Sequence, residues 1–340
     1  MKQLVGVLAL LCIFSACKKE ASSSSGELSD NSVEADSLNL SLRAQIDRLT
    51  RYIEANPSNW GLYKDRSMLY FETGRTDWAV HDIREAIKLK DDDPDLHYLR
   101  GYYALNENDT ALARSEFQLA SIYGSANPDV FYQQGQMRFL QKKYEAALQS
   151  YREAADLDSL DPIYPFAMGF LERQRGNFRN AMDYFHQVLE LDSLHEKTLL
   201  QLHDLCLEDL NKVEKANNYN QRLLSVNPSH SLANYNAGSY FYRKAVPLKS
   251  SMPEAYKENI NKAVEHYTIS IGYSDSFALP LVYRGMCYVE GERYDLALED
   301  FKKAVELDDS QKLAHLQLSG LYEYYGEAEK AAIHAAKAEQ

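Results

Sequence analysis

The sequence predicts an all-α fold, a right-handed α-solenoid of helix-turn-helix repeats, and three observations predict it. Alanines recur at a fixed interval: Ala79, Ala113, Ala147 and Ala181 are 34 residues apart, as are Ala263, Ala297 and Ala331, the period of stacked helical hairpins. Other positions keep the same phase. Twelve residues before these alanines stand small residues (Ser67, Gly101, Gly135, Gly169, Gly285, Ser319), and four after them large apolar ones (Ile83, Phe117, Tyr151, Phe185, Tyr267, Phe301). Composition agrees, since 15 Gly and 9 Pro in 340 residues are too few for a turn-rich sandwich.

Taken from the N-terminus, residues 1–16 read as a leader peptide. Lys2 supplies a positive charge, Leu4 to Phe14 is an apolar run, and Ser15 and Ala16 are small residues before a cleavage point. The run is too short to span a bilayer. The string Phe14-Ser15-Ala16-Cys17 resembles the lipobox of bacterial lipoproteins, with Phe14 where an aliphatic residue is usual. The resemblance implies that Cys17 becomes the acylated first residue, carrying palmitate among its lipids. It also implies a place in the cell envelope at the outer membrane, with the periplasmic face favoured over the cell surface. Lys18-Lys19-Glu20 is partly similar to the start of some Bacteroidota surface lipoproteins.

Residues 17–36, with four consecutive serines and no periodicity, read as a flexible tether. In residues 37–56, Leu42, Ile46, Leu49 and Ile53 form one apolar stripe that ends at Asn56-Pro57, the pattern of a capping helix. Residues 60–340 then divide into eight repeats, 60–93, 94–127, 128–161, 162–195, 196–229, 230–277, 278–311 and a shortened 312–340. Asp93-Pro94, Asn127-Pro128, Asp161-Pro162 and Asn227-Pro228 each put a capping side chain before a proline, the chemistry that starts a helix. Gly74, Gly176, Gly291 and Gly326 are placed to take the left-handed conformation of the turns.

These in-phase positions over nearly the whole chain resemble the tetratricopeptide repeat family. In that family the small residue of the first helix and the alanine of the second let the two helices approach, while the large residue fills the space beside them. Two repeats depart. The fifth has its alanine at Ala216, 35 residues after Ala181, with His203 in the glycine place and Asn220 in the aromatic place. The sixth keeps Gly238 but delays its alanine to Ala263, so Lys244 to Lys257, with Pro247 and Pro253, reads as an insertion at about 244–257 between its helices.

Charge and motifs narrow the function. A net charge of −13 repels phosphate backbones, which excludes nucleic acid as a partner, and a mean hydropathy of −0.48 excludes a polytopic membrane protein. G-x-G-x-x-G, Walker A, G-x-S-x-G and H-E-x-x-H motifs are absent, so no catalytic residue, cofactor site or metal site is assigned and the chain is not read as an enzyme. His203 and Cys206 share a helix face without further ligands. Asp91-Asp92-Asp93 lacks the spacing of a calcium loop. Cys206 and Cys287, all that remain after Cys12 leaves and Cys17 is acylated, read as buried thiols.

In tetratricopeptide proteins the first helix of each repeat lines the inner groove. Positions three before, one after and four after the small residue share its face: Lys64, Met68, Phe71; Tyr98, Tyr102, Leu105; Tyr132, Gln136, Phe139; Phe166, Phe170, Arg173; Tyr235, Ser239, Tyr242. The resemblance implies a peptide- or protein-binding ladder of Tyr98, Tyr102, Tyr132, Phe139, Phe166, Phe170, Arg173, Tyr235 and Tyr242. The plainer reading is that individual rings are core between repeats. Met68 stands where a carboxylate-clamping Asn would be needed, which argues against a clamp for C-terminal tails. The function so implied is a lipid-anchored scaffold or adaptor that binds envelope proteins or peptides, touching the membrane through its lipid alone. The alternative is a glycan-binding, nutrient-uptake lipoprotein, which would have only Trp60 and Trp78 for indole stacking.

Overall fold

A computed structural model of the protein describes residues 31–339, with side chains from residue 41. Cys17, the leader and residues 17–30 of the tether lie outside the described residues. Among the described residues there are 17 α-helices and no strand. The chain divides into two compact units, one ending at Leu171 and the other beginning at Glu172.

The first unit opens with α1 (Asn31–Ala55), followed by α2 (Trp60–Glu72), α3 (Thr76–Leu89), α4 (Pro94–Asn106), α5 (Thr110–Ile122), α6 (Pro128–Leu140) and α7 (Tyr144–Leu157). Because α1 begins at Asn31, residues 31–36, assigned above to the tether, are helical. Helices α2/α3, α4/α5 and α6/α7 pair as hairpins, and α1, α3 and α5 pack on the first helix of the next hairpin. Asn59, Asp93 and Asn127 accept the backbone N–H groups of Gly61, Asp95 and Asp129, satisfying donors at the starts of α2, α4 and α6.

Helix α8 (Ile163–Gln174) crosses the division. The second unit continues through α9 (Phe178–Leu191), α10 (Glu196–Asp204), α11 (Val213–Val226), α12 (Ser231–Ala245), α13 (Pro253–Gly272), α14 (Ala278–Glu290), α15 (Tyr294–Leu307), α16 (Lys312–Tyr324) and α17 (Ala328–Glu339). The hairpins are α10/α11, α12/α13, α14/α15 and α16/α17, and α9, α11, α13 and α15 pack on the first helix that follows.

The periodic residues form the core. Ala79, Ala113, Ala147, Ala181, Ala263 and Ala297 are fully buried, as are Ile83, Phe117, Phe185, Tyr267 and Phe301. The aromatic ring, rather than the alanine, explains the helical glycine. A Cβ on Gly135 would lie 2.4 Å from Tyr151 Cε1, and one on Gly285 would lie 2.7 Å from Phe301 Cε1, closer than side chains pack. Cys206 and Cys287 are buried free thiols, and burial pushes the Cys287 thiol up to about 12.

Three local expectations are corrected. Gly291 has φ −92°, and its neighbour Glu292 takes the left-handed conformation at φ 57°. Asn227 ends α11 instead of starting the next helix: α12 begins four residues later at Ser231, capped by His230, whose Nδ1 accepts the Ala233 N–H at 3.2 Å. The stretch 244–257 is mostly helix. α12 runs to Ala245 and passes into a 3₁₀ turn, Val246–Leu248, while α13 starts at Pro253 and is 20 residues long. Pro253 suits a first helical turn, where its missing N–H costs nothing. The extension is held to the next repeat by Glu290, whose Oε2 accepts from Lys249 Nζ at 2.5 Å and Tyr256 OH at 2.7 Å.

Candidate functional site

The first-helix face divides into side chains that reach solvent and side chains consumed by packing. Met68 is 43% exposed and Tyr102 39%. Beside them Phe71 meets Tyr102 edge-on at 5.5 Å and stacks on Tyr103 at 4.6 Å. Tyr98 sits 6.2 Å from Tyr102 and donates its hydroxyl to Asp129 Oδ2 at 2.9 Å, and burial together with the Asp129 charge holds that phenol well above its ordinary range. Lys64 lies over Trp60 and 3.5 Å from Asp95.

Further along, Tyr132 and Phe166 leave the face. Tyr132 is 4% exposed and packs between Tyr151 and Tyr164, each 5.8 Å away; Phe166 is 5% exposed. Both are core between successive hairpins, because a helix position three before the glycine points toward the neighbouring aromatic as much as toward the groove. Phe139 and Phe170 are half-buried and in contact at 6.0 Å.

In the second unit Arg173 is held by α10 and the turn after it, donating to Gln201 Oε1 at 3.1 Å and Asp209 Oδ2 at 2.8 Å, with Glu208 at 3.4 Å. Tyr235 is half-buried against Phe277 at 5.0 Å and Tyr283 at 5.9 Å, and Tyr242 lies 6.3 Å from Tyr283. Burial pushes both phenols up to about 12. The nine residues therefore form no single exposed ladder: Tyr102 is the one open to solvent by more than a third.

Models of the tetratricopeptide repeat match residues 64–129, 128–159 and 284–311. The chain carries tetratricopeptide repeats. No curated protein sequence matches it. Among solved structures, the C-terminal part of a tetratricopeptide repeat-containing protein from Cytophaga hutchinsonii is similar at 16% identity and a TM-score of 0.60, covering 74% of this chain and 98% of that one. This likeness shows a tetratricopeptide solenoid fold. YrrB, described as a TPR protein with an unusual peptide-binding site, matches at 20% identity and a TM-score of 0.41, over 72% of this chain and 97% of its own. MamA from Desulfovibrio magneticus matches at 20% identity and a TM-score of 0.43, over 55% and 98%.

The fifth tetratricopeptide repeat is where the pattern breaks in structure as in sequence. Its first helix continues from α10 into a π-helical turn, Leu205–Asp209, closed by Leu210 N–H to Leu205 C=O at 3.0 Å and ended by Lys212 N–H to Cys206 C=O at 2.6 Å. A π-turn is an α-helix with one residue added, and it absorbs the extra residue that moves Ala216 out of phase. His203 is buried, with Nδ1 2.9 Å from Asp204 Oδ1. Asn220, in the aromatic place, donates Nδ2 to the Ala233 carbonyl at 2.9 Å. Between this repeat and the next lies a cavity of about 150 Å³. Spacing alone gave no sign of Asn217, Asn236 and Arg243, which line it.

Proposed function

We propose that the protein is a lipid-anchored scaffold of a bacterial envelope, tethered through Cys17, that holds a peptide or protein partner on the first-helix face of its tetratricopeptide repeats. The observation that carries this reading is the exposure of Met68 and Tyr102 on neighbouring repeats, 43% and 39%, with Phe71 and Tyr98 packed beside them. An amphipathic ring and a pliable thioether on a rigid helical face give contact area at little entropic cost. The lipobox-like string Phe14-Ser15-Ala16-Cys17 supports the anchor, and an acidic body would need such a lipid to stay at an anionic surface. No described helix is long and apolar enough to cross a membrane. On this reading the chain works by binding, without a cofactor.

The test is cross-linking and capture in intact cells with the full lipoprotein, beside a Met68→Ser/Tyr102→Ala form shown by circular dichroism to be folded. A reproducible set of envelope proteins captured by the first and lost by the second is the expected result; the same set captured by both overturns the groove assignment. Anchoring is tested separately. Cys17→Ala protein should leave the membrane fraction, and its full retention there would refute the lipid tether.

A further inference from the structure

We propose that the cavity between the fifth and sixth repeats receives a carboxamide side chain, Asn or Gln, of a peptide lying on the first-helix face. The proposal rests on the scaffold reading and gives it a chemical specificity. Departures from the repeat pattern converge here. His203 stands in the glycine place and the π-turn follows it. Asn217 occupies the position that Val80, Leu148, Met182, Val264 and Leu298 fill with apolar side chains in five other repeats and an exposed Arg114 fills in the second. Local rules broken together in one place are expected where function opposes packing.

Asn217 is 8% exposed and lines the cavity. Among the described residues its side-chain amide makes no hydrogen bond. The amide is open to the cavity, so its donor and its acceptor are both available to a group placed there. Across the cavity the Asn236 side-chain amide comes within 3.4 Å of His203 Nδ1 through one of its ends, which leaves the other end to bond a ligand. The two amides together present donors and acceptors, the complement of another amide.

Charge selects against an anion. A carboxylate would meet two like charges, Asp204 and Glu208, against the single opposite charge of Arg243. A neutral carboxamide avoids that penalty. A cavity of about 150 Å³ admits a group of about benzene's size, which suits one Gln side chain and not an indole. Leu207, Val213 and Ala216 supply apolar walls for its methylenes.

The experiment follows the side-chain amide signals of Asn217 and Asn236 by nuclear magnetic resonance while acetyl-Ala-Gln-Ala-amide is titrated into the protein. Parallel titrations use Glu, Lys and Leu at the central position, and N-acetylglucosamine. Saturable shifts with Gln, at least tenfold weaker with the other three peptides, are expected. Asn217→Leu should lose the binding at least tenfold while melting at the same or a higher temperature, and Asn217→Asp should lose it with the shape kept. No response to the Gln peptide, or an equal response to Leu, overturns the proposal; tighter saturation by the sugar overturns the peptide assignment. Should the pocket fail while Met68→Ser/Tyr102→Ala still loses partners, the scaffold reading stands without it. Gln binding at Asn217 beside unchanged capture would instead remove the Met68 and Tyr102 face and keep the pocket.

Discussion

Arg66 and Asp82 join the two helices of the first repeat through paired hydrogen bonds, Nε to Oδ2 at 2.6 Å and Nη2 to Oδ1 at 2.8 Å, while Nη1 donates to Thr50 Oγ1 at 3.0 Å. The arrangement returns in the seventh repeat with Arg284, Asp300 and Thr268, at 2.8, 2.7 and 3.1 Å. In both repeats a threonine on the preceding helix completes the set, so α1 supplies to the first repeat what α13 supplies to the seventh. Asp82 is fully buried, and removing it strands a guanidinium that is 13% exposed. Asp82→Ala should therefore cost about 3 kcal/mol, and Arg66→Met/Asp82→Ala less than the single change. Urea unfolding of the two variants checks this; a double mutant worse than the single would show the pair to be worth more than its desolvation.

The glycine of a first helix is a packing requirement only where a ring faces it. Gly135→Ala puts a Cβ 2.4 Å from Tyr151, so the roughly 1 kcal/mol gained in helix propensity is outweighed by overpacking of about 1–3 kcal/mol. Gly320, also within a helix, has nothing within 4 Å of its added Cβ. Gly320→Ala should stabilise by up to about 1 kcal/mol. Opposite shifts in melting temperature are expected, and equal shifts would mean that the ring at Tyr151 moves aside freely.

Tyr132 and Tyr102 separate core from face. Tyr132→Ala removes a ring that is 4% exposed and should cost about 3–5 kcal/mol. Tyr102→Ala should stay within about 1 kcal/mol. If both variants melted alike, the division of the first-helix face described above would be wrong.

The period of 34 made the helices, their pairing and the buried alanines legible, because those positions obey one rule in the six repeats that keep it. What stayed hidden depended on neighbours. The left-handed residue of the last turn before α15 passes from Gly291 to Glu292 because φ is set by the whole turn. The 244–257 stretch read as an insertion between helices because two prolines interrupt it, yet one falls in a 3₁₀ turn and the other in a first helical turn, where each is tolerated. Tyr132 and Tyr102 share a helix face in projection, and only the adjoining hairpin, with Tyr164, decides which is covered. The partner of Arg66 lies sixteen residues away on another helix, a spacing with no signal in a single-helix pattern. Asn217 breaks an apolar position of the repeat, and only the cavity beside it gives that break a meaning.

Acid should loosen the protein before its carboxylates titrate. His186, His195, His266 and His334 all lie beyond residue 172, and burial holds each below the usual histidine range. His266 stacks on Phe241 at 5.6 Å and bonds Asn234. His334 meets His315 Nδ1 to Nδ1 at 2.8 Å, with Lys337 and Asp309 nearby, an arrangement in which one nitrogen donates and the other accepts. Two protonated rings would oppose N–H to N–H. Above about pH 6.5, the unfolded value, both states are neutral and stability is flat. Below it the unfolded chain takes up protons that the folded chain refuses, so stability falls until the folded rings titrate. Glu290, whose burial is outweighed by bonds from Lys249 and Tyr256, has a lowered value and loses its contribution only as pH falls through the carboxylate range. The urea midpoint should therefore be level from pH 8 to 7 and decline between about pH 6.5 and 5. His334→Gln should flatten that decline, and an identical slope in the variant would assign the acid sensitivity to other groups.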